Sequence, residues 1–481
     1  MITMAEAAHA TGGQWLARPL ALETPLRSGS FDTRTLNGEE IFFALPGERA
    51  DGHRFLGSLA GQGVLLAVVG RDAPAPGYTG NILRVADPLA ALGRMASRLM
   101  EKFRPRVVAV TGSYGKTTAK ELIAHVLSGG LKVLKTPGSH NNEIGVPLAL
   151  LELDGTQEAA VLEFSARKTG DIDYLGRIAP PDVAVLLAVG RAHVGVFGSE
   201  EAILQAKGEI FHHLRPAGLA VVGGEDPRLR GLAAGRRTVT FGGEGADFRG
   251  EEMRSDGEGH LSFMGVHGEA RIPFRSGLPG PHGHRPILAA WAVARELGLP
   301  DELVRRRAGF HPGQKGRAVR LRSPGGATIL DDSYNASPET VTNLIATLAG
   351  MAEPEKILVL GHLSELEEGL AETARTIGAH LRPPLDRCWV LLSGEETLAE
   401  RLADLAEGCE VRAFHSLPEL IAALRELDGP GRVIGFKGAR SAHMERAVQG
   451  LLGVEVTCGL RECGLLIHCT DCEQLTRDDR S

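Results

Sequence analysis

The sequence predicts an α/β protein of three domains, in which a central parallel sheet carries a phosphate-binding loop. At 481 residues the chain exceeds a single core, and about 150 residues per domain suggests about three. Strand-length apolar runs alternate with helical segments, as in parallel sheets with right-handed crossovers. We predict a small N-terminal α/β domain over 1–103, a central P-loop ATPase domain over 104–311, a Rossmann-like α/β domain over 312–455 and a Cys-rich tail over 456–481.

The composition is that of a folded protein with no general affinity for polyanions. Hydrophobic residues make up 43% and charged residues 23% of the chain, and the net charge is −7. This balance gives no reason to expect nucleic acid or a membrane surface as a partner. The first thirty residues lack a leader pattern, and no stretch approaches the ~18 apolar residues of a membrane span. We therefore expect a cytoplasmic monomer that acts on small molecules.

The N-terminal domain is predicted from short apolar runs separated by turns. The run 40–45 is followed by Pro46-Gly47, and the run 64–69 reads as a buried strand. Residues 88–103 carry Leu, Met and Phe at helical spacing. These patterns predict a small α/β unit ahead of the phosphate loop.

The central and C-terminal domains are predicted from two further series of strand-like runs. The central series consists of 107–110, 161–164, 183–187 and 219–222. A polar, Gly-rich, strand-like segment over 237–275 and a helix over 287–297 follow, before a break near 310–313. The C-terminal series consists of 327–330, 357–360, 388–392 and 433–436. Helical segments between the runs predict two parallel sheets.

The loop after the strand 107–110 has the groups that a triphosphate requires. Gly112 and Gly115 permit close backbone approach, Lys116 supplies a cation, and the following helix offers its N-terminus. The hydroxyl of Thr117 is placed to bind Mg²⁺. The loop is a variant, since Val110 stands where the usual first glycine would be, and the alternative is an ordinary Gly-rich turn. The Gly-Lys-Thr-Thr sequence favours ATP binding by the whole loop: Gly112, Ser113, Tyr114, Gly115, Lys116, Thr117 and Thr118.

Two polar residues follow successive strands of the central series. Glu163 ends the run 161–164, and His193 follows the run 183–187. Singly each would be a plain loop residue, but doubly wound sheets bind ligands at the carboxyl ends of their strands. Together they predict a further cation site. Lys207 lies in an amphipathic helix and, taken by itself, would be a solvated surface residue.

Five ordered motifs resemble those of the Mur ligase family. They are 111–118, 139–148, 192–199, 206–211 and 331–338, and the resemblance extends over about residues 25 to 452. Within the family it is strongest to ligases that join D-alanyl-D-alanine to a UDP-N-acetylmuramoyl-tripeptide in peptidoglycan precursor synthesis. The resemblance implies that a substrate carboxylate attacks the γ-phosphate of ATP, and that an amine then displaces phosphate from the acyl phosphate.

The resemblance also implies roles for individual residues. Lys116, His193 and Lys207 would form the catalytic group, with Lys116 on the β- and γ-phosphates. Thr117 and Glu163 would hold one Mg²⁺, and His193 a second, supported by Lys207 in carbamylated form. Further ATP-binding residues would be Asn141, Asn142, Arg317, Asp332, Tyr334 and Asn335. Substrate-binding residues would be Thr33, Arg34, Asp51, Gly52, His53, Arg167, Lys437 and Arg440.

The departures from the family pattern leave the acceptor amine open. Segments 164–171 and 188–192 differ from the usual turns, and Gly283 and Pro286 replace expected asparagines. One alternative is a ligase of the same family with a different amino acid or peptide acceptor. Another is a catalytically silent metal-binding scaffold, which the intact phosphate and metal residues disfavour.

Four of the six cysteines crowd into the last 24 residues. Their C-x4-C-x5-C-x2-C spacing is compatible with tetrahedral Zn²⁺ ligation, or with an iron–sulfur cluster, and free thiols on an unstructured tail are the alternative. The proposed zinc ligands are Cys458, Cys463, Cys469 and Cys472.

Overall fold

The α/β class predicted from the alternating runs is confirmed in a computed structural model. It describes residues 1–16, 21–47, 50–70, 78–190, 194–363, 369–392, 398–459, 463, 468–472 and 475–476. Two compact units are formed, one by 1–189, 200–248 and 289–307, the other by 190–199, 249–288 and 308–481. This division does not follow the predicted domain boundaries, which stay predictions.

The N-terminal segment forms a small mixed sheet with helices. Its elements are β1 (Ile2–Thr3), α1 (Met4–Thr11), β2 (Gln14–Trp15), β3 (Pro25–Leu26), β4 (Gly29–Ser30), β5 (Ile41–Phe43), the 3₁₀ helix Gly52–Leu59, β6 (Leu66–Gly70), β7 (Ile82–Val85) and α2 (Pro88–Phe103). Among the described residues the sheet order is β2-β7-β6-β5-β4, and β4 to β7 run parallel. Phe42, Leu56 and Val69 are fully buried in its core.

The bounds of α2 are those predicted, and local chemistry explains them. The Asp87 carboxylate accepts a hydrogen bond from Leu89 N at 2.8 Å, and Pro88 occupies the first turn. The helix ends at Phe103, and its C-cap residue Arg104 has a φ of 52° in the left-handed region.

The next segment builds the parallel sheet that carries the phosphate loop. Its elements are β8 (Arg106–Thr111), α3 (Lys116–Leu127), β9 (Val133–Lys135), α4 (Gly145–Leu150), β10 (Ala159–Glu163), α5 (Asp171–Ile178), β11 (Val183–Leu186), α6 (Val194–Phe197), α7 (Glu200–Gly208), β12 (Leu219–Gly223), α8 (Pro227–Leu232) and β13 (Arg237–Gly242). The strands are parallel in the order β13-β12-β11-β8-β10-β9 over the described ranges. The position of β8 between β10 and β11 brings the ends of three strands beside the phosphate loop.

The polar segment after β13 forms an antiparallel meander and then two helices. Its elements are β14 (Phe248–Ser255), β15 (His260–His267), β16 (Ala270–Pro279), α9 (His284–Glu296) and α10 (Asp301–Arg307). The strand prediction for this segment is confirmed. The helix predicted over 287–297 begins earlier, because a 3₁₀ turn over Pro281–Gly283 leads directly into His284.

The C-terminal segment is a Rossmann-like sheet with helices on both faces, as predicted. Its elements are β17 (Val319–Arg322), β18 (Thr328–Asp332), α11 (Pro338–Ala349), β19 (Glu355–Leu360), α12 (Leu370–Gly378), β20 (Arg387–Leu391), α13 (Leu398–Leu405), β21 (Glu410–Phe414), α14 (Leu417–Glu426), β22 (Arg432–Lys437) and α15 (Glu445–Leu451). The order of its described strands is β17-β18-β22-β19-β20-β21, and only β17 pairs antiparallel there.

Alternate residues of β19 supply the two cores of this sheet. Leu358 and Leu360 pack with residues of α11 to α13, whereas Ile357 and Val359 pack with residues of α14 and α15. None of the helices in the described part of the chain combines the length and the apolar character needed to cross a lipid bilayer.

Candidate nucleotide and metal site

The phosphate loop is held in shape by its glycines and by the chain after β11. Gly115 caps the N-terminus of α3 with a φ of 77°, which favours glycine. A Cβ atom on Gly112 would lie 3.1 Å from Ala188 O, and Ser113 N donates a hydrogen bond to the same oxygen at 2.8 Å. The loop therefore runs so close to the neighbouring strand end that a side chain at position 112 would crowd it.

A cation and a buried hydroxyl lie at the start of α3. Lys116 Nζ donates to Gly112 O at 2.8 Å and to Ser113 O at 3.2 Å, so the ammonium group lies over the loop. Thr117, in the first turn, is buried. The first N–H groups of a helix lack intrahelical partners and attract anions. This end of α3 thus has the chemistry of a phosphate site.

Glu163 offers a buried carboxylate oxygen beside the loop. It ends β10 in register with Val110 of β8 and is 1% exposed. Oε1 accepts a hydrogen bond from Asn141 Nδ2 at 2.7 Å, whereas Oε2 is buried and has no hydrogen-bond partner among the described residues. A buried carboxylate oxygen without a partner is costly, and hard oxygen ligands suit Mg²⁺. Glu163 and the hydroxyl of Thr117 therefore fit the predicted cation.

Lys120 is a positioning residue that the sequence analysis missed. It is fully buried, and its Nζ donates to Thr136 O at 2.6 Å and to Gly138 O at 2.7 Å. The hydroxyl of Thr136 in turn accepts a hydrogen bond from Glu163 N at 3.1 Å. Lys120 thereby fixes the turn that leads to Asn141. Its spacing of four residues from Lys116 on one helix was the available signal.

Lys207 lies in the protein interior rather than on the surface. It is 1% exposed, and burial lowers its pKa to about 7, helped by the positive charge of Lys116. The carboxylates of Asp171, Glu209 and Glu163 act on Lys207 in the opposite direction. Taken by itself this lysine was expected to be solvated, and that expectation is wrong. Its amine is much closer to neutrality than an ordinary lysine at physiological pH.

Other residues predicted around this site have local roles or stay undescribed. Asn142 is exposed, and its Oδ1 accepts a hydrogen bond from Gly145 N at the start of α4 at 2.9 Å. Arg167 is exposed. His193, predicted as a catalytic metal ligand, lies outside the described residues. The predicted roles of Asn142 and Arg167 stay predictions.

The residues predicted to hold the UDP end of a substrate stabilise a turn. Asp51 Oδ1 accepts a hydrogen bond from His53 N at 3.0 Å and lies 2.6 Å from His53 Nδ1. His53 Nε2 accepts a hydrogen bond from Gly70 N at 2.9 Å, so Nδ1 carries the proton. A Cβ atom on Gly52 would lie 2.8 Å from Leu45 N. These contacts explain the residue types without testing their predicted substrate role.

Arg34 and Thr33 belong to a second turn of the N-terminal segment. The Arg34 guanidinium forms an ion pair with Asp32 at 2.6 Å and is largely exposed, while Thr33 is half-buried. Their role toward substrate stays a prediction.

In the second unit, five of the predicted nucleotide and substrate residues form one cluster. Lys437 Nζ pairs with the carboxylate of Asp332 and is buried. The Arg317 guanidinium stacks over the Tyr334 ring at 4.2 Å, and the Arg440 guanidinium lies 5.8 Å from the same ring. The structure thus brings together residues that are more than 100 positions apart.

Asn335 and the tail cysteines complete the predicted set. Asn335 is exposed next to this cluster in sequence. Cys469 packs against His443 and Glu445, and the group of potential metal ligands found there in the described residues does not include Cys458, Cys463 or Cys472. A site made of all four cysteines stays a prediction.

A phosphate loop on a parallel sheet, a buried carboxylate beside it and a Rossmann-like domain define a P-loop nucleotide-binding protein of α/β class. The chain belongs to the Mur ligase family. Residues 110–294 match the Mur ligase middle domain, and residues 316–440 match the Mur ligase glutamate ligase domain.

Characterised relatives are similar over nearly the whole chain. The UDP-N-acetylmuramoyl-tripeptide--D-alanyl-D-alanine ligase of Bacillus subtilis is 33% identical, covering 91% of this chain and 95% of the relative. The enzyme of the same name from Escherichia coli is 31% identical, covering 87% and 92%.

Solved structures of MurF proteins are also similar to this chain in fold. MurF from Acinetobacter baumannii has a TM-score of 0.85 at 29% identity, covering 94% of this chain and 99% of that structure. MurF from Thermotoga maritima in complex with ADP has a TM-score of 0.78 at 31% identity, covering 89% and 97%.

Proposed function

We propose that this protein is an ATP-dependent ligase that joins D-alanyl-D-alanine to the terminal carboxylate of UDP-N-acetylmuramoyl-tripeptide in peptidoglycan precursor synthesis. Relatives that carry this name match the chain at 29–34% identity over most of its length. The structural observation that supports it best is the buried carboxylate of Glu163, one oxygen of which has no hydrogen-bond partner in the described part of the chain, beside an intact phosphate loop.

The first half-reaction makes an acyl phosphate. The substrate carboxylate attacks the γ-phosphorus of ATP, the bond to the β-γ bridging oxygen breaks, and ADP leaves. Lys116 and the N–H groups at the start of α3 stabilise the negative charge that spreads over the phosphate oxygens. Mg²⁺, when held by Thr117 and Glu163, neutralises part of the same charge. The residues of the chain thus act mainly by positioning and by electrostatics.

The second half-reaction forms the amide. The amine of the acceptor attacks the acyl carbon, the carbon–oxygen bond to phosphate breaks, inorganic phosphate leaves, and the amine nitrogen loses a proton. An acyl phosphate is readily hydrolysed, so water must be kept out until the amine arrives. The products are ADP, phosphate and the extended peptide.

Lys207 supports this reaction best as a carbamate. A neutral amine can attack CO₂ to give an N-carboxylate with release of a proton, and burial keeps this lysine close to neutrality. The carbamate would carry a negative charge, which attracts Lys116 where the ammonium form repels it. Such an anion supplies oxygen ligands for a second Mg²⁺.

A second candidate is a ligase with the same chemistry and a different acceptor amine. It is favoured by the unusual sequence of 164–171, which lies directly after Glu163, and by the replacement of the expected asparagines by Gly283 and Pro286. These changes leave the phosphate and carboxylate residues intact, so they bear on acceptor choice rather than on activation.

The assay is phosphate release from ATP by purified protein with Mg²⁺ and UDP-N-acetylmuramoyl-tripeptide, with and without D-alanyl-D-alanine. The proposal expects release that depends on both substrates and a product larger by one dipeptide in mass spectrometry. Other dipeptides and single amino acids serve as matched acceptors. Turnover only with another amine would favour the second candidate, and no turnover with any donor would overturn both.

A further inference from the structure

The C-terminal tail returns to the Rossmann-like domain at the turn between β22 and α15. There the 3₁₀ turn Cys469–Asp471 lies against His443 and Glu445. His443 precedes α15 with a φ of 48°, and Glu445 is the first residue of that helix. A thiol, an imidazole and a carboxylate are thereby brought together from positions 24 and 26 residues apart.

Two of the three distances between the ligand atoms are those of a tetrahedral metal site. Cys469 Sγ lies 3.3 Å from His443 Nδ1, and His443 Nδ1 lies 3.6 Å from Glu445 Oε1. One ligand atom from each residue lies within 4.8 Å of the other two. Zinc bonds of about 2.3 Å to sulfur and about 2.0–2.1 Å to nitrogen or oxygen require ligand atoms roughly 3.3–3.6 Å apart. The side chains need little movement to accept such an ion.

The Glu445 carboxylate has one oxygen atom that could bind a metal ion. It is fully buried, and its Oε1 accepts hydrogen bonds from Arg440 at 2.6 Å and from Cys469 N at 3.2 Å. Its Oε2 is buried and lacks a hydrogen-bond partner among the residues that the structure describes. Native proteins rarely leave such an atom unsatisfied without water or an ion. The Arg440 guanidinium contacts this carboxylate through Oε1.

The simplest alternative is a hydrogen bond from the Cys469 thiol to His443 Nδ1, with no ion. That bond gives His443 Nδ1 a partner but leaves Glu445 Oε2 buried and without a hydrogen-bond partner among the described residues. A site of four tail thiolates is a further alternative, but of these cysteines only Cys469 belongs to the group of potential metal ligands found in the described residues. Thiolate, imidazole and carboxylate together are a ligand set of zinc proteins.

We propose that His443, Glu445 and Cys469 bind a structural Zn²⁺ ion that fastens the tail to the Rossmann-like domain. The fourth position is left to water or to His468, whose buried Nε2 also lacks a partner within the described part of the chain. This inference is independent of the ligase proposal, because no residue of the phosphate loop takes part.

The ion would also stabilise residues predicted to bind nucleotide and substrate. Glu445 pairs with Arg440, which lies near the Tyr334 ring, and the tail residue Asp471 pairs with Lys315. The first contact joins the proposed ligand Glu445 to the cluster around Tyr334, and the second joins the tail to the segment that carries Arg317. The tail is thus placed to hold that cluster in a fixed arrangement when zinc is bound.

The test is metal content and cobalt spectroscopy on the full-length chain. Protein treated with chelator, then incubated with Zn²⁺ and desalted, is expected to retain about one zinc ion per chain. Co²⁺ in its place should show a charge-transfer band of the intensity that a single thiolate ligand produces. A protein that retains no zinc, or a cobalt spectrum typical of four thiolates, would overturn the proposal.

Matched variants separate this ligand set from the four-cysteine set. Cys469→Ser and His443→Asn, the latter chosen because asparagine tolerates the positive φ, should weaken zinc binding at least about tenfold. Cys458→Ser, Cys463→Ser and Cys472→Ser should retain zinc. Equal loss in all four cysteine variants would assign the metal to the thiolates and refute the proposal. The measurements on the unmodified chain decide the matter even where a variant fails to fold.

Discussion

Asn141 donates its side-chain amide to Oε1 of Glu163 at 2.7 Å and leaves the second carboxylate oxygen buried beside the phosphate loop. The amide fixes the rotation of the carboxylate, so that Oε2 is held in a single orientation. A ligand oxygen that is oriented before the cation arrives is a common feature of efficient metal sites.

Glu163→Gln should raise the Mg²⁺ concentration needed for half-maximal activity by at least about tenfold, because a neutral amide is a much poorer ligand for a hard cation. The check is phosphate release as a function of Mg²⁺. Glu201→Gln, at an exposed position of α7, is the control and should leave the Mg²⁺ dependence unchanged. An unchanged curve for Glu163→Gln would remove this residue from the cation site.

Lys116→Ala should abolish turnover, since the loss of a charge-stabilising group costs about 3 kcal/mol, or at least a hundredfold in kcat. Steady-state ATP consumption measures this, and Lys132→Ala, on the surface after α3, is the matched control. Full activity in Lys116→Ala would refute the nucleotide site.

Lys207→Ala should lose activity and recover part of it when short carboxylates such as acetate or formate are added, because they can replace the carbamate oxygens. The same additions should not rescue Lys116→Ala, whose missing group is a cation. Incorporation of ¹³C-labelled bicarbonate, followed by carbon NMR of the intact protein, provides an independent measurement. Lack of both rescue and label would leave Lys207 as an ordinary buried amine.

Lys120→Met should destabilise the protein by about 3 kcal/mol, because it leaves the carbonyls of Thr136 and Gly138 without this donor and the Glu121 carboxylate without its buried cation. Urea unfolding gives the comparison. Lys135→Met removes the other, half-exposed partner of Glu121 and should cost less than about 1 kcal/mol. Equal losses of unfolding free energy in the two variants would show that the buried contacts of Lys120 contribute no more than an exposed ion pair does.

Local patterns predicted the elements well, because their causes are local. The helix over 88–103 has its cap, its first-turn proline and its apolar stripe within the same stretch of sequence. The strand and the helix on either side of the phosphate loop likewise follow from neighbouring residues, and both are found where they were predicted. Such features need no knowledge of the tertiary structure.

The environment of single charged residues was not predictable in the same way. Lys207 lies in a helix whose sequence pattern gives no sign of its burial, and the charged groups that act on its pKa belong to other elements. Lys120 depends on carbonyls 16 and 18 residues away. The spacing of the tail cysteines predicted that they bind one metal ion together, whereas Cys469 contacts His443 of the preceding domain. Tertiary contacts decide these cases, and spacing within a motif does not report them.

The hydrogen bonds that run from Lys120 through Thr136 to Glu163 have a consequence for the energetics of nucleotide use. They connect α3, the helix predicted to receive phosphate, to β10, the strand that ends at Glu163. The conformational entropy of these side chains is lost when the chain folds, so it is not lost again each time a nucleotide binds. Affinity for the magnesium nucleotide and resistance to unfolding of this sheet are therefore thermodynamically linked. A substitution that removes one of these hydrogen bonds should weaken nucleotide binding even where the substituted residue contacts neither phosphate nor metal.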